Sequence, residues 1–390
     1  MGSFILRITE NDGSLKLSWN IPDGDDDWPA NAYSVDAGLL QQAAHGVRQQ
    51  LRSIAFAREP LDRSEFALLL QRLANRGQDL FLQLMPSPDG GSGPISGVQE
   101  RLERLVLAPG DERYDFKVVL ETPELFVPWG FVFSGKKDAV PGEPTLTLAD
   151  MRGFWLSHFN ISITYCGSHP LPQERKIDSC KLLALHEDMF SKAREAIKDD
   201  QCLSKLDKLL AGKMAPTTDW ETFEDTWTQI KDDHDSVLYL YGHSDGQRIQ
   251  LRDQDIDGQS DPRFELLAAS LKKFRKRAQG SASIFLLNGC RTAAPNTNSR
   301  EEPMSANFLK ETRQSGYYGF IGTEAQVSNI FACRYGTEFL WRLFQEGRSV
   351  GEAFDELLHC PELFPQNLLY SCYAERKFRL ASFLTAEKRP

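Results

Sequence analysis

No apolar run in this chain approaches the roughly 20 residues that a membrane-crossing helix needs, and no Cys-x-x-Cys pair occurs among its seven cysteines, at 166, 180, 202, 290, 333, 360 and 372. The first absence excludes a helical membrane span. The N-terminus MGSFILRITE also lacks the basic-then-apolar order of a signal peptide, so a cytoplasmic location is expected. An odd set of cysteines without paired spacing gives neither a disulfide framework nor a zinc ribbon. Most of them should be reduced, half-buried thiols. A surplus of positive charge is missing too: 45 basic against 55 acidic residues leave a formal net charge of −10. That balance argues against broad binding to a nucleic-acid backbone and leaves proteins or small molecules as partners. Repeats at solenoid periods are absent as well. What the 390 residues do contain is 41% hydrophobic and 11% aromatic content, enough for a substantial core in one large domain or two ordinary ones.

FILRITE and LKLSWNI alternate around Asn11-Asp12-Gly13-Ser14 and predict a hairpin. Ala37 to Ala57 and Ser64 to Leu84 place apolar residues at three- and four-residue intervals, the pattern of two amphipathic helices, the second capped by Asp62 or Ser64. MPSPDGGSGP breaks that period and reads as a loop. DFKVVLETP, ELFVPWGFVF and NISITYC then read as strands. Beyond the linker-like SHPLPQERKIDS, strands and helices alternate. Strands are expected at CKLLALHE, VLYLYGH, RIQL, SIFLLNG and YYGFIGT. Helices are expected to about Leu210, at Trp220 to Lys231, Pro262 to Ala278, Met304 to Arg313, Asn329 to Gln345 and Val350 to Leu358. Near-continuous apolar strands separated by helices indicate an α/β fold with a mostly parallel sheet covered on both faces.

Gly-His-Ser-Asp-Gly, residues 242–246, satisfies the G-x-S-x-G pattern of serine hydrolases. A nucleophile elbow needs a helix directly after the serine, yet Ser244 is followed by QRIQL, which alternates like a second strand. The only histidine after Ser244 is His359, and Asp355 lies four residues before it on the same expected helix, whereas a triad acid normally comes from a separate strand end. A serine hydrolase using Ser244 is therefore the weaker alternative. His243, by contrast, stands at the C-terminal end of an expected parallel strand, where open α/β sheets place their sites. The next buried strand ends in Asn288-Gly289-Cys290-Arg291-Thr292, and Cys290 follows His243 by 47 residues, close to the His-to-Cys interval of caspase-type enzymes. Such a pair makes a nucleophile, because the imidazole takes the thiol proton while the backbone amides of Ser244 and Cys290 point at a developing oxyanion.

VLYLYGHSDG together with SIFLLNGCRTA resembles the CHAT domains, caspase-like cysteine peptidases of clan CD related to caspases and separase. YYGFIGTEAQVSN, RYGTEFLWRLFQEG and SVGEAFDELL are similar to that family's last strand and helices, and LETPELFVPWGFVF to a strand-turn-strand ending in a Pro-Trp pair. The resemblance covers about Asp115 to Leu358. It implies a caspase-like CHAT peptidase domain over 111–390 behind an N-terminal regulatory or pseudo-caspase-like region over 1–110. It also implies His243 as the catalytic histidine and Cys290 as the nucleophile, with no cofactor, and Ser244 departs from a His-Gly pair common in the family. Members commonly act in bacterial signalling and defence, antiviral defence included. A protein substrate and an activating sensor protein or ligand follow from that, while a non-catalytic interaction module on the same fold is the competing class.

For specificity, the resemblance implies that the residue two before the nucleophile, Asn288, lines the primary pocket. Glu324 and Asp245 are the acidic candidates for facing substrate, although Asp245 also suits a turn cap. Arg291 could favour the thiolate. Asp253, Asp255 and Asp257 with Gly258 reproduce the first half of a calcium loop, but position 12 is Phe264 and Glu265 comes one late, so a full EF-hand is excluded and an acidic surface loop is the simpler reading; no metal is expected. His186 sits at another strand end without a cysteine on an adjacent strand and reads as structural or pocket-lining. His45, His158, His169 and His234 read as solvated or half-buried, and Trp129 as a core anchor. The loop 294–303 lies where caspases carry a processing linker.

Overall fold

The alternation at the N-terminus folds as a hairpin: strand β1 (Phe4–Asn11) pairs antiparallel with β2 (Ser14–Asn20). The computed structural model describes residues 4–11, 14–20, 32–57, 62–86, 94–107, 113–121, 125–136, 140–165, 182–212, 215–228, 236–245, 247–252, 262–271, 283–294, 308, 311–312 and 319–379. The chain divides into two units, Met1–Gly167 with His359–Pro365, and Ser168–Leu358 with Gln366–Pro390.

In the first unit, β2 also pairs with β3 (Tyr33–Asp36), which leads straight into helix α1 (Ala37–Ala55) through Asp36, whose carboxylate accepts from the Leu39 amide. Helix α2 (Arg63–Leu84) starts at Asp62, whose carboxylate accepts from the Ser64 amide, the cap expected from the sequence. Helix α3 (Pro94–Leu107) was not anticipated, because the Gly- and Pro-rich stretch before it masked where its period begins. Strands β4 (Tyr114–Leu120) and β5 (Phe159–Tyr165), the latter following the single turn α4 (Trp155–His158), complete a sheet of order β3-β2-β1-β4-β5 in which β4 runs parallel to both β1 and β5. Phe4, Leu6, Ile8, Leu17 and Phe116 are buried on this sheet, each worth roughly 1.5–3 kcal/mol against exposure. Around them Trp155 meets Phe116, Phe159 and Trp19 at ring distances of 5.0, 5.7 and 6.3 Å.

One expectation changes here. Within ELFVPWGFVF, the described residues 125–133 hold no strand beyond the single bridge of Phe133 to Phe154 and one 3-10 turn at Trp129–Phe131, because Pro128 supplies no amide to a ladder. Trp129 itself is a buried anchor, as expected. Strands β4 and β5 pair into the sheet begun by β1, and the compact units divide at 167/168.

The second unit runs β6 (Leu182–Leu185), α5 (Glu187–Ala196), α6 (Asp200–Gly212), β7 (Ala215–Thr217), α7 (Trp220–Thr228), β8 (Ser236–Tyr241), β9 (His243–Ser244), β10 (Arg248–Gln250), β11 (Glu265–Leu267), β12 (Ser283–Asn288), β13 (Gly319–Thr323), α8 (Asn329–Phe344), α9 (Val350–Leu358) and β14 (Tyr370–Cys372). Its main sheet has the order β14-β13-β12-β8-β6-β7. All pairs are parallel except the last, β13 with β14. This is the mostly parallel α/β sheet expected, and Val237 to Tyr241 and Ile284 to Asn288 are buried on both faces, which is why these strands read as continuous apolar runs. The expected helix at 262–278 is replaced, over its described part, by a 3-10 turn at Pro262–Phe264, by β11 and by a second turn at Ala268–Ser270. Leu266 is buried with a more exposed residue on each side, a period of two that lets β11 pair with β10. Of the helix expected near Met304 to Arg313, only Phe308, Glu311 and Thr312 are described, all helical. Among the described residues no helix is long and apolar enough to cross a membrane.

Candidate active site

Strands β8 and β12 lie side by side in a register that sets Tyr241 opposite Asn288. One residue later each chain passes a glycine, so Gly242-His243 and Gly289-Cys290 leave the sheet as neighbouring turns at its C-terminal edge, the edge that carries sites in open parallel sheets. The Gly242 amide donates to the Asn288 carbonyl at 3.4 Å. A Cβ on Gly289 would lie 2.8 Å from both the Gly242 carbonyl oxygen and the Ser244 Cβ, and a Cβ on Gly242 would collide with the Gln250 carbonyl oxygen. Neither glycine has a positive φ. Space between the two turns, rather than backbone conformation, requires them.

Cys290 is half-buried and its thiol donates weakly to the Val327 carbonyl at 3.8 Å. Burial pushes that thiol above its ordinary pKa, and the Arg291 guanidinium works against the rise. Arg291 itself adopts φ +56°, a left-handed conformation that costs a non-glycine residue energy and turns the chain sharply behind the cysteine. The turn is tied to β13 and the loop after it. Arg291 N–H donates to Ala325 O at 3.1 Å and Ala293 N–H to Thr323 O at 2.9 Å. The Thr292 hydroxyl donates to Leu287 O at 3.0 Å and accepts from Thr323 N–H at 2.9 Å, while the Thr323 hydroxyl donates to Gly289 O. No hydrogen bond from the Cys290 amide occurs among the described residues.

His243 is exposed in β9, directly opposite Gln250 of β10, which in turn stands opposite Glu265 of β11. Gln250 Nε2 donates to Glu265 Oε1 at 3.2 Å, and Arg248 Nη1 reaches the same oxygen at 3.3 Å. On the other side of β8, His186 directly follows β6. Its amide donates to Tyr241 O at 2.8 Å, and its ring meets that of His243 edge to face, 5.3 Å between centroids at 90°. From the sequence, His186 reads as structural or pocket-lining, with no cysteine on an adjacent strand. Sheet order alone, which no local pattern encodes, brings it beside His243.

Of the three residues expected to meet substrate, two are buried and one caps its own turn. Asn288 is 2% exposed; its amide donates to the Tyr239 hydroxyl at 2.9 Å and to Ala332 O, and accepts from the Tyr370 hydroxyl. It joins the sheet to α8 and β14 instead of opening into a pocket, because the register turns that side chain inward. Glu324 is 1% exposed and its carboxylate accepts from the Tyr373 hydroxyl, so it is neither a solvated loop residue nor a group at the surface. Asp245 caps its own turn, accepting from the amides of Gln247 and Arg248 at 3.0 and 3.1 Å and from Arg248 Nε at 3.0 Å.

Ser244 lies in β9 opposite Ile249. The next described element is β10 rather than a helix, so the elbow of a serine hydrolase is not formed, and Asp355 is ion-paired with Arg376. His158 is a buried core residue, held down to about 4 by burial and by Arg113 and Arg152, and His45 bonds Gln49 at 2.8 Å. Asp253, Asp255, Asp257 and Gly258 lie outside the described residues, as do His169, His234 and most of the loop 294–303. No group of three or more His, Cys, Asp or Glu able to hold a metal occurs among the described residues.

No protein-family profile and no curated protein matches this sequence. Among solved structures, the chain is similar to two crystal structures of the Saccharomyces cerevisiae separase-securin complex, with 12% identity at a TM-score of 0.45 and 11% at 0.42. Each comparison covers 97% of this chain, which spans 30% of the length of the matched chain.

Proposed function

We propose that this protein is a caspase-like cysteine endopeptidase with a His243–Cys290 dyad. The observation that carries this reading is the pairing of β8 with β12, which brings the two glycine turns into van der Waals contact, one ending in an exposed imidazole and the other in a half-buried thiol. Because burial holds the Cys290 thiol above its ordinary pKa, no standing thiolate is invoked: His243 takes the proton as sulfur attacks the scissile carbonyl carbon. The carbonyl electron pair moves onto oxygen, where the Cys290 and Ser244 amides would stabilise it. The imidazolium then gives its proton to the departing amine, and water attacks the acyl-enzyme, releasing the new C-terminus and restoring the thiol. Asn288 and Glu324 are buried, so this proposal does not rest on their direct contact with a substrate side chain.

The CHAT resemblance makes the substrate a partner protein and the setting a bacterial signalling or defence pathway in which a sensor or ligand switches the enzyme on. Sequencing the new protein N-termini produced by wild type and by Cys290→Ala in the same cells tests this. Cleavage products present only with wild type and lost again in His243→Ala are expected; identical N-termini in all three would sink the reading. One observation favours a second reading, a non-catalytic interaction module: a thiol with a raised pKa is a poor resting nucleophile. In that case Cys290→Ala keeps full activity in vivo.

A further inference from the structure

We propose that His186 is a positioning residue for His243, holding the imidazole in the orientation from which it takes the Cys290 proton; this rests on the dyad reading. His243 stands in a two-residue strand at the sheet's edge and is exposed. His186 is the opposite case. It is 1% exposed, its amide is tied to Tyr241 O at 2.8 Å, and its ring Nδ1 accepts from the Met189 amide at 3.4 Å as the N-cap of α5.

That bond places the ring proton on Nε2 and makes His186 a neutral imidazole, since Nδ1 cannot accept and carry a proton at once. A neutral ring meeting His243 edge to face at 5.3 Å is an attractive and stiff contact, and it adds no like charge when His243 becomes imidazolium. Across the small sheet, His243 stands opposite Gln250, with Glu265 and Arg248 in the strands beyond. Asp245, two residues after His243, is spent on its turn, and Glu187 and Asp188 stand in the first turn of α5 directly after His186. His186 is buried and in ring contact with His243. A general base must sit within hydrogen-bond reach of its proton, and a shift of about 1 Å costs on the order of 10²-fold in rate.

The two jobs of His186 separate by substitution. His186→Asn keeps a good N-cap and removes the ring; His186→Phe keeps a ring and removes the cap. The assay is the rate at which iodoacetamide alkylates Cys290 between pH 5 and 10, read on the Cys290 peptide by mass spectrometry, with Tm measured on each variant and His243→Ala alongside. In His243→Ala the neutral-pH rate should fall at least tenfold, leaving a single rise at alkaline pH. His186→Asn should show a fall of about tenfold toward that same profile, and His186→Phe should recover most of the rate, although Tm falls in both because one loses a buried ring and the other the cap. If His186→Asn reacts at the wild-type rate with the wild-type pH profile while His243→Ala is slow, His186 is a cap and nothing more. If His243→Ala itself matches wild type, the dyad reading fails and takes this proposal with it.

Discussion

Replacing Gly289 with alanine tests the geometry of the site more directly than removing either dyad residue. The added Cβ would lie 2.8 Å from the Gly242 carbonyl oxygen, 2.8 Å from the Ser244 Cβ and 3.5 Å from Thr292 Cγ2. Two of these are closer than carbon approaches carbonyl oxygen or carbon at optimal separation, about 3.5–4.0 Å between carbons. The two turns must therefore part by roughly half to one ångström. Side-chain rotation offers no escape, because one colliding atom is backbone oxygen and the other is a Cβ. Two consequences follow with different sizes. Overpacking of this kind costs about 1–3 kcal/mol, readable as a lower denaturant midpoint. Displacing the thiol from its base by that distance lowers the Cys290 reaction rate by about 10²-fold. The assay pairs urea unfolding with Cys290 alkylation at pH 7, and Gly289→Ser should behave as the alanine does or worse. A Gly289→Ala protein that reacts within twofold of wild type would show that the turns are not in the contact on which the site reading depends.

The same reasoning gives sharper expectations elsewhere. In His243→Ala, Cys290 should ionise above the roughly 8.5 of a free thiol, because burial disfavours the thiolate. With the folded pKa above the unfolded one, the stability Cys290 contributes is full below the unfolded value and is lost as pH rises through the folded value; a Cys290→Ala protein should lose less stability between pH 8 and 10 than its parent. Asn288→Ala should cost about 2–3 kcal/mol by leaving the buried Ala332 carbonyl and the Tyr239 and Tyr370 hydroxyls without a partner, measured by urea unfolding; a neutral result would contradict the inward placement of this side chain. Thr323→Val keeps shape but removes the hydroxyl that donates to Gly289 O. It should cost about 1–2 kcal/mol and slow Cys290 alkylation, whereas Asp245→Ala, confined to its own turn, should change the alkylation rate less than either.

The sequence alone determined the elements whose pattern is strong over a short range. The hairpin follows from alternation about Asn-Asp-Gly-Ser, α1 and α2 from three- and four-residue spacing with Asp62 ready to cap, and the buried parallel strands from their unbroken apolar runs. It also singled out His243 and Cys290, because strand ends before glycine are readable without coordinates. Weak or mixed periods failed: Pro262 suggested a helix start where β11 pairs with β10, and Pro128 interrupted what looked like a strand. Tertiary structure decided everything that depends on which strands become neighbours. Residues 57 positions apart, His186 and His243, meet because β6 lies beside β8. Asn288 turns inward because the register with β8 and the packing of α8 and β14 send its amide toward Tyr239, Ala332 and Tyr370. A chain encodes its own periodicity residue by residue; the neighbour of a strand is fixed only when the whole sheet closes over its core.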